Sequence, residues 1–362
     1  MASKRKKTLI WSVVGVLLTA LMIFGWWAVD MWYRLEICNY ESYDGEGHGY
    51  YVYPGMDADS LLHVMQADYE VFSLRDWRWH KKHLLYTIPK PGYYHFPARI
   101  GDKHLIRRVQ AGIETPVRIT WTNQVRTRNH LAGVLGKQLL LDSATIVSYL
   151  DSTAYMQQYG LNRETAVCMF LPNTYEVYWT WDVATLFGRM KREYDHFWNE
   201  ERQRKADRLN LSREQVATVA SIVESETTRR SEYPQIAGLY LNRYRRGMHL
   251  QADPTVIFAV GDFRIRRVLN RHLAYDSPYN TYKYVGLPPG PIRCATGATI
   301  DDVLNAPATN ILFMCANPDF SGSHIFTSSY AQHVDVARRY RVALTERLAE
   351  QERQKELESQ TD

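Results

Sequence analysis

Two glutamates, Glu224 and Glu226, follow an apolar run in the second half of the sequence. Val216, Val219 and Val223 recur at helical spacing, which predicts a helix with one buried face. At about 100° per residue the two glutamates point in nearly opposite directions, so only one can serve a given site. Extending the apolar stripe places Glu226 beside the buried face and Glu224 towards the flank. Glu226 is therefore predicted as the catalytic carboxylate, with Glu224 as the alternative.

The chemistry predicted for Glu226 is proton transfer. Partial burial disfavours the charged form of a carboxyl group and raises its pKa towards the range useful to a general acid. On spacing alone the alternative is a solvated charge on a surface helix, which is the commoner role of a glutamate.

Further helices are predicted around this one. Residues 182–205 are expected to form one long helix with a polar face. Asn210, Ser212 and Glu214 then supply capping residues for the helix that carries the two glutamates. A second amphipathic helix over residues 236–245 follows and ends near a glycine.

The amino-terminal segment predicts a membrane anchor. Residues 1–8 are basic, and residues 9–29 are uncharged and long enough to cross a hydrocarbon layer of about 30 Å. Trp26 and Trp27 suit the aromatic belt at the membrane interface, and the basic cluster favours a cytoplasmic amino terminus. A cleaved signal peptide is the alternative, but its apolar part is usually about 7–15 residues long. An uncleaved single-pass helix is expected.

Charge and cysteine usage exclude some classes of function. The net charge of +5 falls to +1 after residue 29, because Lys4, Arg5, Lys6 and Lys7 have no acidic neighbour in that segment. No basic stripe remains for nucleic-acid binding. The four scattered cysteines lack the spacing of a metal site, so no metal is predicted; a disulfide and buried free thiols both stay open.

The fold class predicted is α+β, with a small α+β unit before a mixed α/β catalytic domain. Residues 30–164 form the membrane-proximal region, and residues 165–345 form the catalytic domain, followed by a polar tail at 346–362. Within the first region, residues at about 86–122 predict an aromatic strand, a short helix closing on Gly112 and a second strand.

Several segments together resemble one known family. They are ASIVESET from Ala220, PQIAGLYLNRYRRGMHLQADPTVIF from Pro234 and YNTYKYVGLPPGPI from Tyr279. They resemble the core of the YceG-like family, the endolytic murein transglycosylases. PGYYHFPARIGDKHLIRRVQAG from Pro91 resembles that family's LysM-like unit, and FLPNTYEVYW from Phe170 resembles the start of its catalytic domain. With the anchor, the resemblance spans nearly the whole chain.

The resemblance implies an enzyme of the bacterial inner (plasma) membrane with its catalytic domain on the periplasmic side. It would cut peptidoglycan strands between N-acetylmuramic acid and N-acetylglucosamine without water, leaving 1,6-anhydro ends. One glutamate acts as acid and then base, and the family's glutamate falls on Glu226. No cofactor is implied. The family is associated with ending nascent strands, so peptidoglycan synthases are expected partners. The LysM-like unit either binds glycan or serves as a spacer.

Six polar residues are predicted to contact the sugar within this resemblance. Each has an ordinary structural alternative: an amide can bridge backbone groups, an aspartate before proline can start a turn, and a histidine can be a satisfied core residue. The loop GLPPGPI at residues 286–292 is predicted to line the cleft without forming a helix, because proline removes backbone donors. The six are Asn242, Gln251, Asp253, Asn280, Tyr282 and His324.

Two other functions stay open on the sequence. A glycoside hydrolase would use Glu226 together with Asp253 as its second carboxylate. A non-catalytic wall-binding scaffold would act through the LysM-like unit. The sugar end left at each cut separates the two enzymes, and binding without cleavage identifies the scaffold.

Overall fold

The computed structural model describes residues 2–84 and 87–359. The fold is mixed α+β, as predicted, and divides into two compact units. The first contains the chain up to Arg118 together with Glu176–Trp181, and the second contains Ile119–Tyr175 and the chain from Asp182 onward. Three predicted segments extend beyond the described residues: the basic segment at residue 1, the LysM-like unit at residue 86 and the polar tail at residues 360–362. The predicted domain limits stay predictions.

The first unit begins with a long helix and continues as short strands alternating with helices. Its elements, up to the strand that leads into the second unit, are α1 (Ala2–Glu36), β1 (Tyr40–Ser42), β2 (His48–Val52), α2 (Ala58–Met65), β3 (Tyr69–Val71), α3 (Leu74–Leu84), β4 (Gly92–Phe96), β5 (Arg99–Ile100), α4 (Asp102–Ala111) and β6 (Val117–Thr120).

Helix α1 contains the predicted anchor. Within the described part of the chain, Lys7–Glu36 is the one segment long and apolar enough to cross a membrane, with a mean hydropathy of 2.2. Its apolar side chains from Leu9 to Trp27 are exposed. The helix packs at its carboxyl end, where a Cβ on Gly101 would lie 2.5 Å from the Leu35 carbonyl oxygen. A glycine is therefore required at that close approach.

Two small antiparallel sheets and a buried polar cluster organise the first unit. Strand β1 pairs with β3 and β5, and β2 pairs with β4. The Asp102 carboxylate, fully buried, accepts hydrogen bonds from Tyr40 at 2.5 Å and Asn39 at 3.0 Å, and lies 2.6 Å from His80 Nδ1. These hydrogen bonds compensate for the cost of removing the Asp102 carboxylate from water.

The strand, helix and strand predicted near residues 86–122 are present as β4, α4 and β6. Helix α4 ends on Gly112, whose φ of +73 fits the predicted glycine cap. The two strands do not pair with each other: β4 pairs with β2, and β6 pairs with β7 (Thr174–Val177). The segment is therefore not a closed sheet of its own.

The second unit is mainly helical and ends with a hairpin and a long helix. Its elements besides β7 are α5 (Arg128–Gly136), α6 (Ser143–Asp151), α7 (Thr153–Met156), α8 (Val183–Phe197), α9 (Glu200–Leu209), α10 (Arg213–Glu226), α11 (Tyr233–Arg245), α12 (Asp253–Val260), α13 (Asn270–Leu273), α14 (Gly297–Leu304), β8 (Phe313–Ala316), β9 (His324–Thr327) and α15 (Tyr330–Ser359).

The single long helix predicted over residues 182–205 is wrong. The chain forms α8 and α9 with a break at Trp198 and Asn199, because the Asn199 side chain caps the amide of Arg202 and starts a new helix. Asn210 then ends α9 in a left-handed conformation with φ of 56. Ser212 starts α10, with a capping box completed by Gln215.

Helix α10 is buried on all sides along most of its length. Every residue from Val216 to Glu224 is buried, and α9, α11, α12 and α14 pack around it. Only in the carboxyl-terminal turn do Ser225 and Glu226 keep part of their surface exposed among the residues from Val216 to Glu226.

Candidate active site

Glu226 is the last residue of α10 and keeps part of its surface exposed. Its carboxylate accepts a hydrogen bond of 2.5 Å from the Tyr240 hydroxyl. Burial raises the pKa of Glu226 to about 7, and the negative charge of Asp253 adds to the rise. The Tyr240 hydrogen bond and the Arg243 cation lower the pKa but do not offset the burial. A glutamate with these properties can donate and accept protons near neutral pH.

Glu224 occupies the opposite environment. It is 6 % exposed, and its carboxylate accepts hydrogen bonds from Thr299 at 2.6 Å, from the Thr296 amide and hydroxyl, and from Asn123 at 3.4 Å. The prediction that Glu224 faces the flank is wrong, because α10 has no exposed flank at this point. The predicted divergence of the two side chains is confirmed: Glu224 faces α14 and Glu226 faces α11.

Tyr240 and Arg243 complete the surroundings of Glu226 and were not predicted. They lie three residues apart on α11 and therefore share a helix face. Tyr240 is 2 % exposed, and burial followed by the Glu226 charge raises its pKa well above the usual value. Arg243 is held by the Leu312 carbonyl oxygen at 2.6 Å and the Leu250 carbonyl oxygen at 2.7 Å.

Asp253 and Tyr282 lie on the exposed side of this group. The Tyr282 hydroxyl donates to Asp253 at 2.6 Å, and burial together with this bond raises the pKa of Tyr282. Both residues interact electrostatically with Glu226. Five residues thus form what we call the Glu226 cluster: Glu226, Tyr240, Arg243, Asp253 and Tyr282.

Gln251 and Asn280 support the loops that carry the cluster. Gln251 has a left-handed φ of 51, and its amide donates to the Thr281 carbonyl oxygen at 3.1 Å. Asn280 is fully buried, with its side chain bonded to the carbonyl oxygens of Leu273 and Tyr275 and to the Tyr282 amide at 3.0 Å. The geometry of Asn280 fits the positioning of Tyr282, whereas Gln251 is exposed and its side-chain oxygen accepts from Arg243 at 3.4 Å.

Asn242 and His324 bond elsewhere. The Asn242 side chain donates to the carbonyl oxygens of Thr309 at 2.8 Å and Ile311 at 3.0 Å. His324 Nδ1 lies 2.7 Å from a Glu232 carboxylate oxygen, and its amide donates to the same group at 2.7 Å. Among the described residues, neither side chain hydrogen-bonds to the Glu226 cluster.

The GLPPGPI loop forms no regular helix, as predicted. It contacts α10 and the segment near Glu164. The Ile292 amide donates to the Ser221 hydroxyl at 3.0 Å. A Cβ on Gly290 would lie 2.1 Å from the Glu164 carbonyl oxygen, so this approach requires glycine. The loop therefore ties the segment near Glu164 to the helix that carries Glu226.

The cysteines are free, and three are buried. Burial raises the pKa of Cys294 to about 12 and raises that of Cys168 well above its usual value, so both are protonated thiols at neutral pH. A search of the described residues finds no group of three or more His, Cys, Asp or Glu side chains that could hold a metal ion.

Curated relatives that share one name, endolytic murein transglycosylase, match parts of the chain. It is 37 % identical over 130 residues to an endolytic murein transglycosylase of Bacillus subtilis, covering 36 % of this chain and 35 % of the relative. It is 26 % identical over 268 residues to an endolytic murein transglycosylase of Streptococcus pneumoniae, covering 66 % of this chain and 48 % of the relative. The chain thus spans about a third to a half of the length of these relatives.

One solved structure and one family profile give broader matches. A crystal structure of a YceG-like protein from Listeria monocytogenes has a TM-score of 0.50 at 21 % identity, over 80 % of this chain and 99 % of that one. This likeness concerns the fold. The profile of the YceG-like family matches residues 50–339, far more than half of the chain. The protein therefore belongs to the YceG-like family.

Proposed function

We propose that this protein is an endolytic lytic transglycosylase that cuts peptidoglycan between N-acetylmuramic acid and N-acetylglucosamine. The observation that carries the proposal is the state of Glu226: one hydrogen bond, partial exposure and a pKa of about 7. The names of the curated relatives support the same activity. A cleavage without water needs one carboxylate that can change its protonation state, and Glu226 has that property.

The mechanism uses Glu226 twice. Its proton passes to the glycosidic oxygen as the bond to C1 of muramic acid breaks, and an oxocarbenium-like charge develops. The muramic acid C6 hydroxyl then bonds to C1, and its proton returns to the Glu226 carboxylate. Tyr240 fixes the carboxyl group throughout.

Product analysis tests this proposal. The full-length protein in detergent, incubated with intact peptidoglycan, is expected to release internal fragments with 1,6-anhydro ends, identified by mass spectrometry. Reducing ends would instead identify a hydrolase using Glu226 and Asp253. Strand binding without fragments would identify a scaffold, and either result would overturn the proposal.

The same proposal makes α1 a single-pass anchor in the bacterial inner membrane, with the remainder on the periplasmic side. The exposed apolar surface of α1 and the preceding basic residues support this orientation. Protease added outside the inner membrane of spheroplasts should digest the chain after Asp30. Complete protection of that region would reverse the topology.

We include glycan contact by the first unit, as expected for a LysM-like unit. An aromatic patch supports it: Tyr51 and Tyr53 are exposed, and their rings lie 5.0 and 5.1 Å from that of Trp179. Such rings offer apolar faces for sugar rings and polar tips for hydroxyls. The double variant Tyr51→Ser and Tyr53→Ser should weaken strand binding in sedimentation assays. Unchanged binding would make the unit a spacer.

Partnership with peptidoglycan synthases, and with it the ending of nascent strands, also belongs to the proposal. Its support is the sequence resemblance. In-cell crosslinking followed by mass spectrometry should recover synthases with the anchored protein, and their absence would remove this part.

A further inference from the structure

A small cavity in the second unit is lined by sequence neighbours of Glu226 and Asp253. Its volume is about 70 Å³, and Ser225 and Pro254 lie in its wall. Ser225 directly precedes Glu226, and Pro254 directly follows Asp253. The cavity therefore borders the backbone segments that carry Glu226, in α10, and Asp253, in α12. A space of this size accepts a few water molecules or a group of similar size, and it is too small for a whole sugar.

Two arginines, Arg126 and Arg293, also line this cavity. Arg293 is 6 % exposed, and its Nε has no hydrogen-bond partner among the described residues. Its Nη1 donates to the Glu224 carbonyl oxygen at 3.3 Å, while the Glu224 carboxylate is engaged by Thr299 and its neighbours. A buried guanidinium N–H without an acceptor is unfavourable. An acceptor oxygen placed at this nitrogen would therefore stabilise Arg293.

Arg126 increases this positive charge. Its guanidinium stacks on the Phe263 ring at 5.0 Å, and no ion pair of Arg126 or Arg293 occurs within the described part of the chain. Burial and, to a smaller extent, the Arg126 cation lower the pKa of Arg293, while the Glu224 charge acts in the opposite direction. An anion between the two guanidinium groups would relieve both the missing hydrogen bond and the repulsion.

A larger neighbouring cavity of about 440 Å³ shares Arg126 and Phe258 with the first. Its other arginines, Arg128 and Arg163, both pair with Asp151, at 2.5 and 3.2 Å. These two cations share one carboxylate, and Glu164 also lines the cavity, whereas Arg126 at the junction has no ion pair among the described residues. The small cavity is thus lined by two arginines for which the described residues supply no ion pair.

We propose that the cavity lined by Arg126 and Arg293, here called the arginine pocket, binds a carboxylate group of the peptidoglycan strand. The sugar rings are uncharged, and the carboxylates belong to the lactyl group of muramic acid in naked strands or to the attached peptide. Guanidinium groups bind carboxylates through charge-assisted hydrogen bonds. The apolar walls from Ile257, Phe258 and Ile292 suit the methyl group beside a lactyl or alanyl carboxylate. The identity of the strand rests on the proposed function.

The test compares native strands with strands whose carboxylates are converted to neutral methyl amides. Naked and peptide-bearing strands are prepared in both forms. Binding is measured with the full-length Glu226→Gln variant in detergent, so that no strand is consumed. Arg126→Gln is introduced into this protein, with Arg126→Lys as the charge-preserving variant. Arg264→Gln is the matched control, because Arg264 is exposed, pairs with Asp262 at 2.9 Å and does not line the pocket.

Neutralising the carboxylates is expected to weaken binding about 10- to 100-fold, the effect of losing a hydrogen bond to a charged group. Arg126→Gln should weaken native-strand binding similarly and remove the difference between native and neutral strands. Arg126→Lys should restore part of that difference, and Arg264→Gln should change nothing. An effect limited to naked strands assigns the lactyl carboxylate, and one limited to peptide-bearing strands assigns the peptide.

Equal binding of native and neutral strands, or an undiminished difference in Arg126→Gln of normal thermal stability, would overturn the inference. Turnover by the wild type is measured in parallel and separates this inference from the proposed function. Normal anhydro products with charge-independent binding would remove the pocket assignment alone. Charge-dependent binding without turnover would remove the transglycosylase activity alone.

Discussion

At the end of α10, two carboxylates two residues apart face different neighbours. Glu224 is buried against α14 and accepts hydrogen bonds from Thr296, Thr299 and Asn123. Glu226 faces α11 and accepts one from Tyr240. The first carboxylate has hydrogen-bond donors from three residues, while the second is deprived of water with one donor in its place.

Under the proposed function, the difference gives Glu224 a structural role and Glu226 the proton transfer. A carboxylate with many donors changes protonation state only at the cost of several hydrogen bonds. One with a single donor and a pKa near 7 exchanges its proton within the working range of an enzyme. Burial alone therefore does not distinguish the two glutamates; the number of donors around each carboxylate does.

The largest expected effect is on activity. Glu226→Gln keeps the shape of the side chain and removes the exchangeable proton, so strand cleavage should fall by roughly 10²–10⁴-fold. The rate of anhydro-ended fragments released from purified peptidoglycan measures it. Glu224→Gln is the matched control and should retain most activity at temperatures where it stays folded. A normal rate for Glu226→Gln together with an inactive, folded Glu224→Gln would exchange the two roles.

The next largest effect is on the free energy of unfolding, which should rise for Glu226→Gln and fall for Glu224→Gln. The folded-state pKa of Glu226 lies above its usual value of 4.5, so wild-type stability falls as pH rises from about 4.5 to about 7 and stays reduced above that. Glu226→Gln should therefore raise the free energy of unfolding at pH 8 by up to about 3 kcal/mol, and by little at pH 4.5.

Glu224→Gln should lower the free energy of unfolding by about 1–3 kcal/mol, because its donors lose a charged acceptor. Thermal and denaturant unfolding of both variants at pH 4.5 and pH 8 measures the contrast. If Glu226→Gln is destabilised at pH 8 to the same extent as Glu224→Gln, the two environments are not distinct.

The sequence predicted α10, its Ser212 start and the divergence of the glutamates, because local spacing and capping determine these features. It placed Glu224 towards an exposed flank, which is wrong, since an apolar stripe does not show that a helix is surrounded by four others. Tyr240 was missed because its contact with Glu226 depends on how α10 and α11 pack. The i,i+3 pair of Tyr240 and Arg243 was the available signal.

The break between α8 and α9 had a local signal that was not used. Asn199 followed by Glu200 and Glu201 is a typical helix start, with a capping residue and acidic groups in the first turn. The predicted ligand Asn280 has a different explanation. Sequence identifies a polar residue near a site but does not show whether its donors are already used, and those of Asn280 are.

A smaller effect is expected from Tyr240→Phe, which removes the hydrogen bond that holds the Glu226 pKa down. Wild-type kcat/KM should decline as pH rises through about 7, where Glu226 loses its proton. In the variant this decline should move to higher pH by about one unit, the equivalent of one hydrogen bond to a charged group. A pH profile on peptidoglycan measures it, and a shift to lower pH would contradict the role given to Tyr240.

The smallest effect is expected from Asp253→Asn. The Asp253 charge contributes to the raised pKa of Glu226, so its removal should move the decline in kcat/KM to lower pH by a few tenths of a unit, as for a partly solvated charge pair of below about 1 kcal/mol. Asp276→Asn is the matched control, an exposed aspartate that pairs with Lys283 at 2.8 Å. It should leave the profile unchanged.

If Asp253→Asn instead lowers cleavage more than about 100-fold at every pH, Asp253 acts in the chemistry as a second carboxylate. The enzyme would then be a hydrolase, and Glu226 would no longer act alone.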